Sequence, residues 1–429
     1  MPNARLGPIE LAPGVLPRHA LCYLWAAFVS IGIFTYITTL QPYILGVNLG
    51  IPPEKRGVIS GDLQFWQEIL ALLVIGVIGA WSDKVGRRVV YVCGFLVTAL
   101  AYAAYPFADD YGQLLIYRLI FAVGVATLGG MLATVLADYP MEKDRGKLTG
   151  IAFFLNALGA FIFFTVLNRL PAWFQQAGLS ELWAGRAAYL FAAGVCLLSA
   201  VVMLGLRPGR PDKVDPRMPI RQLIVQGLGA GRQPRIALAY AASFTARADL
   251  VIVALFLALW AQNAAVADGF SAAEAARKQG ILFAVVQGMA LVWAPLFGWF
   301  ADKVNRVTLV IIAIALSVIG YGWIGLVPDP LAPSALPAAA MLGIGQTSGI
   351  LATQVLVGQE APGAIRGAVV GMVGFFGAVG ILAISWVGGR AFDNWMPGAP
   401  FLIMAVANAV LLLYAVFVRV RAPGPSIAG

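Results

Sequence analysis

Four ionisable side chains stand inside stretches of sequence that are otherwise apolar: Glu68, Arg118, Arg247 and Asp249. A charged group in hydrocarbon is costly, and it persists where it faces another charge, a water-filled cavity or a ligand. Two acids and two bases sum to zero formal charge. Protonating Glu68 or Asp249 leaves the set net positive, and an anionic group can then bind at Arg247, with Arg118 as a second candidate. Such a set loads a proton and an anion together. The competing reading is a permanent ion pair, such as Glu68 with Arg247, that only locks packing. Arg247 and Asp249 are two residues apart, about 200° around a helix, so they cannot pair well with each other. Asp249 could instead face a neighbouring helix and bond to a hydroxyl.

The elements that hold these groups follow from composition. Of 429 residues, 60% are hydrophobic and 11% charged, against roughly 25% charged in a soluble domain. So few polar groups cannot cover the surface, and lipid must. Apolar runs long enough to cross a bilayer as helices begin near residues 20, 58, 88, 113, 147, 186, 236, 279, 307, 334, 366 and 399. The expected fold class is an all-α polytopic membrane protein with twelve transmembrane helices. Counted from these starts, Glu68 is about 15 Å deep, near the midplane, with Gln64 one turn earlier on the same face. Arg247 is also near the midplane, and Arg118 is about 8 Å inside its boundary. Asp62, nearer the surface, reads as a solvated cap residue. The first 18 residues carry Pro2, Pro8, Pro13 and Pro17 and no short apolar core. They read as a short cytoplasmic tail, not a cleaved signal.

The net charge of +9 bears on sidedness here, and nucleic acid is not an expected partner. With the N-terminus in the cytoplasm, 20 of the 29 Lys and Arg fall in cytoplasmic segments. Seven fall outside (Lys55, Arg56, Arg169, Arg186, Arg277, Lys278 and Arg390), and Arg118 and Arg247 lie within spans. This bias places both termini in the cytoplasm of what reads as a bacterial inner membrane protein. Cys22, Cys93 and Cys196 lie in or at the start of apolar runs with no disulfide or zinc spacing, and the one histidine, His19, precedes the first run. No nucleotide loop, metal cluster or nucleophile triad is visible. Enzymatic activity, a cofactor and a bound metal are therefore not expected.

The chain repeats itself. Gly79-Ala-Trp-Ser-Asp83-Lys84-Val85-Gly86-Arg87-Arg88 returns as Gly298-Trp-Phe-Ala-Asp302-Lys303-Val304-Asn305-Arg306, offset by 219. Arg145-Gly146 returns as Arg366-Gly367, offset by 221. Between the copies, residues 207–235 are rich in Pro, Gly and Arg and read as a solvated tether that can touch lipid headgroups. The expected domains are a six-helix bundle at 1–206, the loop at 207–235 and a second bundle at 236–429. Duplicated halves suggest a site between them. Gln287 is the equivalent of Glu68, Ala338 of Arg118, and Ala27 and Val29 of Arg247 and Asp249. The Arg247–Asp249 pair is thus no relic of duplication.

Residues 79–88 match, at every defined position, the G-x-x-x-D-[RK]-x-G-R-[RK] loop of the major facilitator superfamily, which the chain resembles over essentially its whole length. The resemblance implies twelve helices in two pseudo-symmetric bundles with alternating access to a central cavity. It implies a gating role for Gly79, Asp83, Lys84, Gly86, Arg87 and Arg88, with Asp138 and Arg145 nearby. Asp302, Lys303, Arg306, Glu360 and Arg366 are the second-half counterparts. Carboxylate–guanidinium contacts there would hold the cytoplasmic helix ends together in the outward-open state and break when that end opens; the alternative is that the loop only fixes topology. Gly79 would let a neighbouring helix come close. Arg118, Ala122 and Gly124 match the family pattern R-x-x-x-[G]-x-G with Ala for the first Gly. That implies proton transfer or substrate orientation, against a snorkelling or structural arginine. Span 5 departs from the drug–proton antiporter stretch G-x-x-x-G-P-x-x-G-G. Its GIAFFLNALGAFIFF keeps Gly150 and Gly159 but has no proline and no paired glycines.

Further candidates to line a cavity are Tyr36, Gln41, Asn156, Gln287, Gln346, Thr347, Thr353 and Gln354. Gln346 leads, because GIGQTSG joins it to close-packing glycines. Phe375 and Phe376 could stack on a substrate. The function expected is a monomeric, proton-coupled secondary active transporter for a small organic anion or carboxylate-bearing metabolite, a carboxylate-rich metal chelator included. One alternative is efflux of amphipathic drugs or lipids, with Glu68 and Asp249 attracting cations. The other is a non-transporting receptor, against which the intact gating loop argues.

Overall fold

The structure, a computed structural model, describes residues 4–209, 220–362 and 365–423. Twelve helices among them are long and apolar enough to cross a membrane. The first six are α1 (Pro17–Asn48), α2 (Pro53–Val85), α3 (Arg87–Phe107), α4 (Tyr111–Asp138), α5 (Glu142–Gln176) and α6 (Glu181–Met203). A short α7 (Ile220–Ala230) follows. Then come α8 (Pro234–Ala267), α9 (Ala272–Ala301), α10 (Arg306–Gly325), α11 (Pro333–Glu360), α12 (Arg366–Asn394) and α13 (Ala399–Arg421). In hydrocarbon every backbone N–H and C=O must bond within its own segment, and the helix is the solution for such runs.

Several helices start before their apolar runs do. Lys55 and Arg56 lie in the first turns of α2, and Arg277 and Lys278 in those of α9, not in loops. At α9 the reason is local. Ser271 and Glu274 form a reciprocal capping box, the Glu274 N–H donating to Ser271 Oγ and the Ser271 N–H to Glu274 Oε2, both at 3.3 Å. Gly86 ends α2 with φ +97°, a conformation that a side chain would strain.

The chain forms two compact units. The first comprises Met1–Ile51, Trp66–Asp215 and Gly269–Gly280; the second comprises Pro52–Phe65, Pro216–Asp268 and Ile281–Gly429. Beside the bundles expected at 1–206 and 236–429, this grouping counts the start of α2 with the second unit and the start of α9 with the first. Within the second unit, Gly57 and Gly61 of α2 meet the backbone of α12 at Gly389 and Ser385, where any Cβ would collide. Asp393 accepts from the Gly57 and Val58 N–H groups at 2.9 and 2.7 Å. Asp62 pairs with Arg390 at 3.0 Å, so it is an ion-pair partner and not a solvated cap. Within the first unit, the Ala272 N–H donates to the Glu181 carboxylate at 2.9 Å, and Gln279 Nε2 to the Thr39 carbonyl at 2.7 Å.

The two units use the same close approaches. Gly159 of α5 lies against the Phe28 carbonyl of α1, and Gly380 of α12 against the Phe244 carbonyl of α8. Gly124 of α4 meets Thr98 of α3, and Gly345 of α11 meets Ser317 of α10. A Cβ at any of the four glycines would fall under 3.0 Å from a neighbouring atom. Both glycine pairs are 221 residues apart, the offset of Arg145 and Arg366. Small residues that let backbones approach are the main packing device between membrane helices, and here the duplication is carried by that device.

Two segments expected to be loose are packed. Near the N-terminus, β1 (Arg5–Leu6) and β2 (Ile9–Glu10) form a hairpin, and Ile9, Leu11 and Val15 are buried. The Ala12 N–H donates to the Tyr139 carbonyl at 2.8 Å and the Met141 N–H to the Glu10 carbonyl at 2.9 Å. Lys143 pairs with Glu10 at 2.7 Å. The Tyr139 hydroxyl, which accepts from the Arg207 N–H, is pushed up to about 12 by burial. In the central loop, α7 is held by a hydrogen bond from the Tyr240 hydroxyl to the Gly227 carbonyl at 2.6 Å, and Gly227 sits against Met372 and Ala368 of α12. This part of the loop is no solvated tether; residues 210–219 lie outside the described residues.

Candidate functional site

Arg118 of α4 is wholly buried in the first unit, which excludes the snorkelling reading. Its Nη2 donates to Thr38 Oγ1 at 2.6 Å, and its guanidinium carbon is 5.5 Å from the centre of the Phe121 ring. Tyrosines surround this position. The Tyr105 hydroxyl donates to Gln41 Oε1 at 2.9 Å, and the Tyr36 hydroxyl to the Leu167 carbonyl at 3.1 Å. Tyr36 and Tyr102 stack at 6.3 Å, as do Tyr105 and Tyr189 at 5.5 Å. Ring faces and hydroxyl oxygens are favourable neighbours for a buried cation. In the same unit, Glu68 lies midway along α2 and is half-buried. Gln64, one turn earlier and within the part of α2 that belongs to the second unit, is buried. Asn156 of α5 is half-buried, and its Oδ1 has no hydrogen-bond partner among the described residues.

Arg247 and Asp249 of α8 diverge as their spacing demands. Asp249 is 1% exposed, whereas Arg247 is exposed and its side chain runs over Gly377 of α12, where a Cβ would block it. Tyr321 Oη and Gln346 Nε2 each donate to the Asp249 main-chain carbonyl at 3.3 Å. Asn408 and Tyr321 flank the carboxyl group, and Asp249 Oδ1 is buried with no hydrogen-bond partner among the described residues. Gln346 is thus part of this cluster. Gln287 and Thr347 are half-buried and Gln354 is exposed. Thr353 spends its hydroxyl on the Gly349 carbonyl of its own helix. Phe376 stacks on Tyr240 at 5.2 Å and meets Phe375 edge-on at 5.9 Å.

The charged loops are paired in one half more fully than in the other. Arg87 bridges two carboxylates, bonding Asp83 closely and Asp138 through Nε at 3.1 Å. Lys84 is exposed, and Arg88 lines a small cleft beside Val85. Gly79 lends its carbonyl to the Ser82 hydroxyl. Arg145 does not reach Asp138; it pairs with Glu142 at 2.7 Å. In the second copy, Arg306 stands 4.0 Å from Asp302, which is 83% exposed, and Lys303 lies over the Trp299 ring. Glu360 pairs with Arg235 at 2.8 Å and not with Arg366. Arg366 instead donates to the Gly358 carbonyl at 3.1 Å, as Arg145 does to the Ala137 carbonyl at 3.5 Å. Each arginine thus reaches back to the end of the helix before it, at equivalent positions of the repeat.

Thr38, Asp393, Arg235, Tyr321 and Asn408 were not singled out from sequence. They lie on helices remote in the chain from the groups they contact, and no spacing rule connects them.

A sequence model of the Major Facilitator Superfamily matches residues 22–276. The chain belongs to that family. Over 406 residues it is 28% identical to the magnetosome protein MamH of Paramagnetospirillum magneticum, covering 93% of this chain and 91% of that protein. It is also 28% identical over 394 residues to the magnetosome protein MamZ of the same organism, covering 88% of this chain but only 59% of MamZ. The xylose transporter XylE from E. coli, solved in an inward-open conformation, aligns with a TM-score of 0.71 over 95% of this chain and 96% of its own, at 16% identity. That likeness shows a shared fold. Family and fold are those of membrane transporters, which are not enzymes, and the setting is a membrane with a small-molecule substrate.

Proposed function

We propose that this member of the superfamily is a proton-coupled symporter for small organic anions, working by alternating access. The observation that carries the reading is the divergence at mid-span of α8. One residue of a two-residue spacing is a buried carboxyl, and the other is an exposed guanidinium. An exposed arginine inside a span offers a bidentate partner to a carboxylate. A carboxyl sealed from water is stable when neutral and gives up its proton only where a compensating charge or water reaches it. With Asp249 or Glu68 protonated, Arg247 and Arg118 leave a net positive set that an anion neutralises. Coupling is reciprocal, so the proton raises anion affinity by the factor that the anion raises proton affinity. The Arg87 bridge to Asp83 and Asp138 is the contact that opening of that helix end has to break. The Lys and Arg bias supports a cytoplasmic side for these ends and both termini, the proposed membrane is a bacterial inner membrane, and the names of the relatives support a magnetosome setting.

The test is the thermal stability of the purified protein against a panel of metabolites, for wild type and Arg247→Gln, at pH 5.5 and 7.5. A ligand that binds the folded state raises stability by RT ln(1 + [L]/Kd). Organic anions, di- and tricarboxylates foremost, stabilise the wild type more at the lower pH, and the variant loses the response. Equal stabilisation of both proteins by lipophilic cations would sink the symport reading.

A further inference from the structure

A cleft of about 820 Å³ opens on the second unit, between the end of α7, the first half of α8 and the middle turns of α13. Its volume falls within the ~300–1,000 Å³ of small-molecule sites. The walls are almost all carbon, from Leu228, Ala241, Phe244, Ala407 and Val410, and Arg232 stands at the mouth. The cleft does not end in a closed core. Val410 of its wall is exposed, as are Leu413 and Phe417 one and two turns further along α13, a face that an apolar span turns toward acyl chains. Water makes no hydrogen bonds with such walls, so hydrocarbon is the medium that fills them.

The depth of the cleft fits one leaflet. Arg232 lies two residues before α8 begins at Pro234, at the level where the span leaves hydrocarbon. Phe244, on the cleft wall, is ten residues into that helix. At 1.5 Å per residue this is about 15 Å, half of the ~30 Å hydrocarbon core. The charge at the mouth is also unspent. Arg235 is neutralised by Glu360 at 2.8 Å, and Arg419 donates to Thr308 Oγ1 at 2.8 Å. Arg232 makes no ion pair or side-chain hydrogen bond with another described residue. An exposed guanidinium above a carbon-lined groove complements a phosphate above an acyl chain.

We propose that this cleft is a lipid site, holding one anionic phospholipid with its acyl chain along α8 and α13 and its phosphate on Arg232. Because Leu228 belongs to α7, the bound chain braces that helix against α8. The proposal needs only that the chain spans a membrane and does not depend on the substrate or on proton coupling.

The test is native mass spectrometry of the delipidated protein, titrated with dioleoylphosphatidylglycerol or dioleoylphosphatidylcholine. One phosphatidylglycerol is expected to be retained in preference to phosphatidylcholine. Arg232→Gln, at an exposed position, weakens that preference about fivefold, the worth of one cation at an anionic surface. Ala407→Trp fills the cleft and removes the retained lipid, and Ala241→Val weakens retention as a smaller intrusion. The proposal is overturned if the wild type holds both lipids equally, or if Arg232→Gln keeps the preference. It is overturned too if inorganic phosphate displaces the lipid, which would make the mouth a free-anion site, or if both cleft-filling variants retain lipid as the wild type does.

Discussion

Adding one methyl group at Gly159 or at Gly380 tests whether the two halves are held by the same packing. At each, a Cβ would fall under 3.0 Å from a backbone carbonyl oxygen, that of Phe28 for Gly159 and that of Phe244 for Gly380. Backbone cannot rotate away as the tip of a side chain can, so α1 and α5, or α8 and α12, have to move apart. Overpacking of this kind costs about 1–3 kcal/mol. Gly150 and Gly374 are the controls, since a Cβ there meets nothing within 4 Å. Alanine at those positions gains helix propensity, up to about 1 kcal/mol, so the sign reverses. The assay is thermal unfolding of the four Gly→Ala variants in one detergent. Gly159→Ala and Gly380→Ala melt below wild type by similar amounts, and Gly150→Ala and Gly374→Ala melt at or above it. If all four melt alike, the close approaches do not carry the packing and the reasoning from them fails.

Three further outcomes are expected. Asp83→Asn, which breaks a pair whose side chains are 12% and 16% exposed, costs about 1–3 kcal/mol, the range for a charged hydrogen bond lost from a half-buried place. Asp302→Asn, at an 83% exposed carboxylate 4.0 Å from its arginine, costs less than about 1 kcal/mol; equal losses of melting temperature would contradict the asymmetry. A double-mutant cycle on Arg235 and Glu360 gives a coupling above about 0.5 kcal/mol, whereas the cycle on Arg366 and Glu360 gives a smaller one; the reverse ranking would refute the pairing. Hydrogen exchange at the Ala12 and Met141 amides, bonded to Tyr139 and Glu10, is slow, and Leu11→Asp, at a fully buried position, speeds both. Fast exchange in the wild type would mean that the N-terminal hairpin is not held.

The twelve spans, the duplicated charged loop and the half-repeat were legible because each is a local pattern: hydropathy over a helix length, or a motif of ten residues. The start of α2 was not, because Lys55, Arg56 and Asp62 make those turns read as a loop, although Asp393 and Arg390 on α12 satisfy them. The hairpin was hidden by its prolines and by having only Ile9, Leu11 and Val15 to bury, too few for a period. Arg118 was found from its motif, but the tyrosines around it come from α1, α3 and α6. Their convergence is tertiary and leaves no spacing in the chain. The partner of Glu360, Arg235, is 125 residues away, and no local pattern links the two. Asp249 and Arg247 were separated correctly because helix geometry alone decides that two residues two apart face different ways.

In the proposed mechanism proton and anion move together through a site that uses Asp249 and Arg247. It is tested most directly in proteoliposomes with a pH-sensitive dye inside and no imposed gradient, on adding an organic anion that stabilises the purified protein. The lumen is expected to acidify with wild type, Arg247→Gln to give no signal, and Asp249→Asn to bind the anion but move no protons. Anion uptake by wild type with no change of lumen pH, or acidification by Asp249→Asn at the wild-type rate, would contradict it.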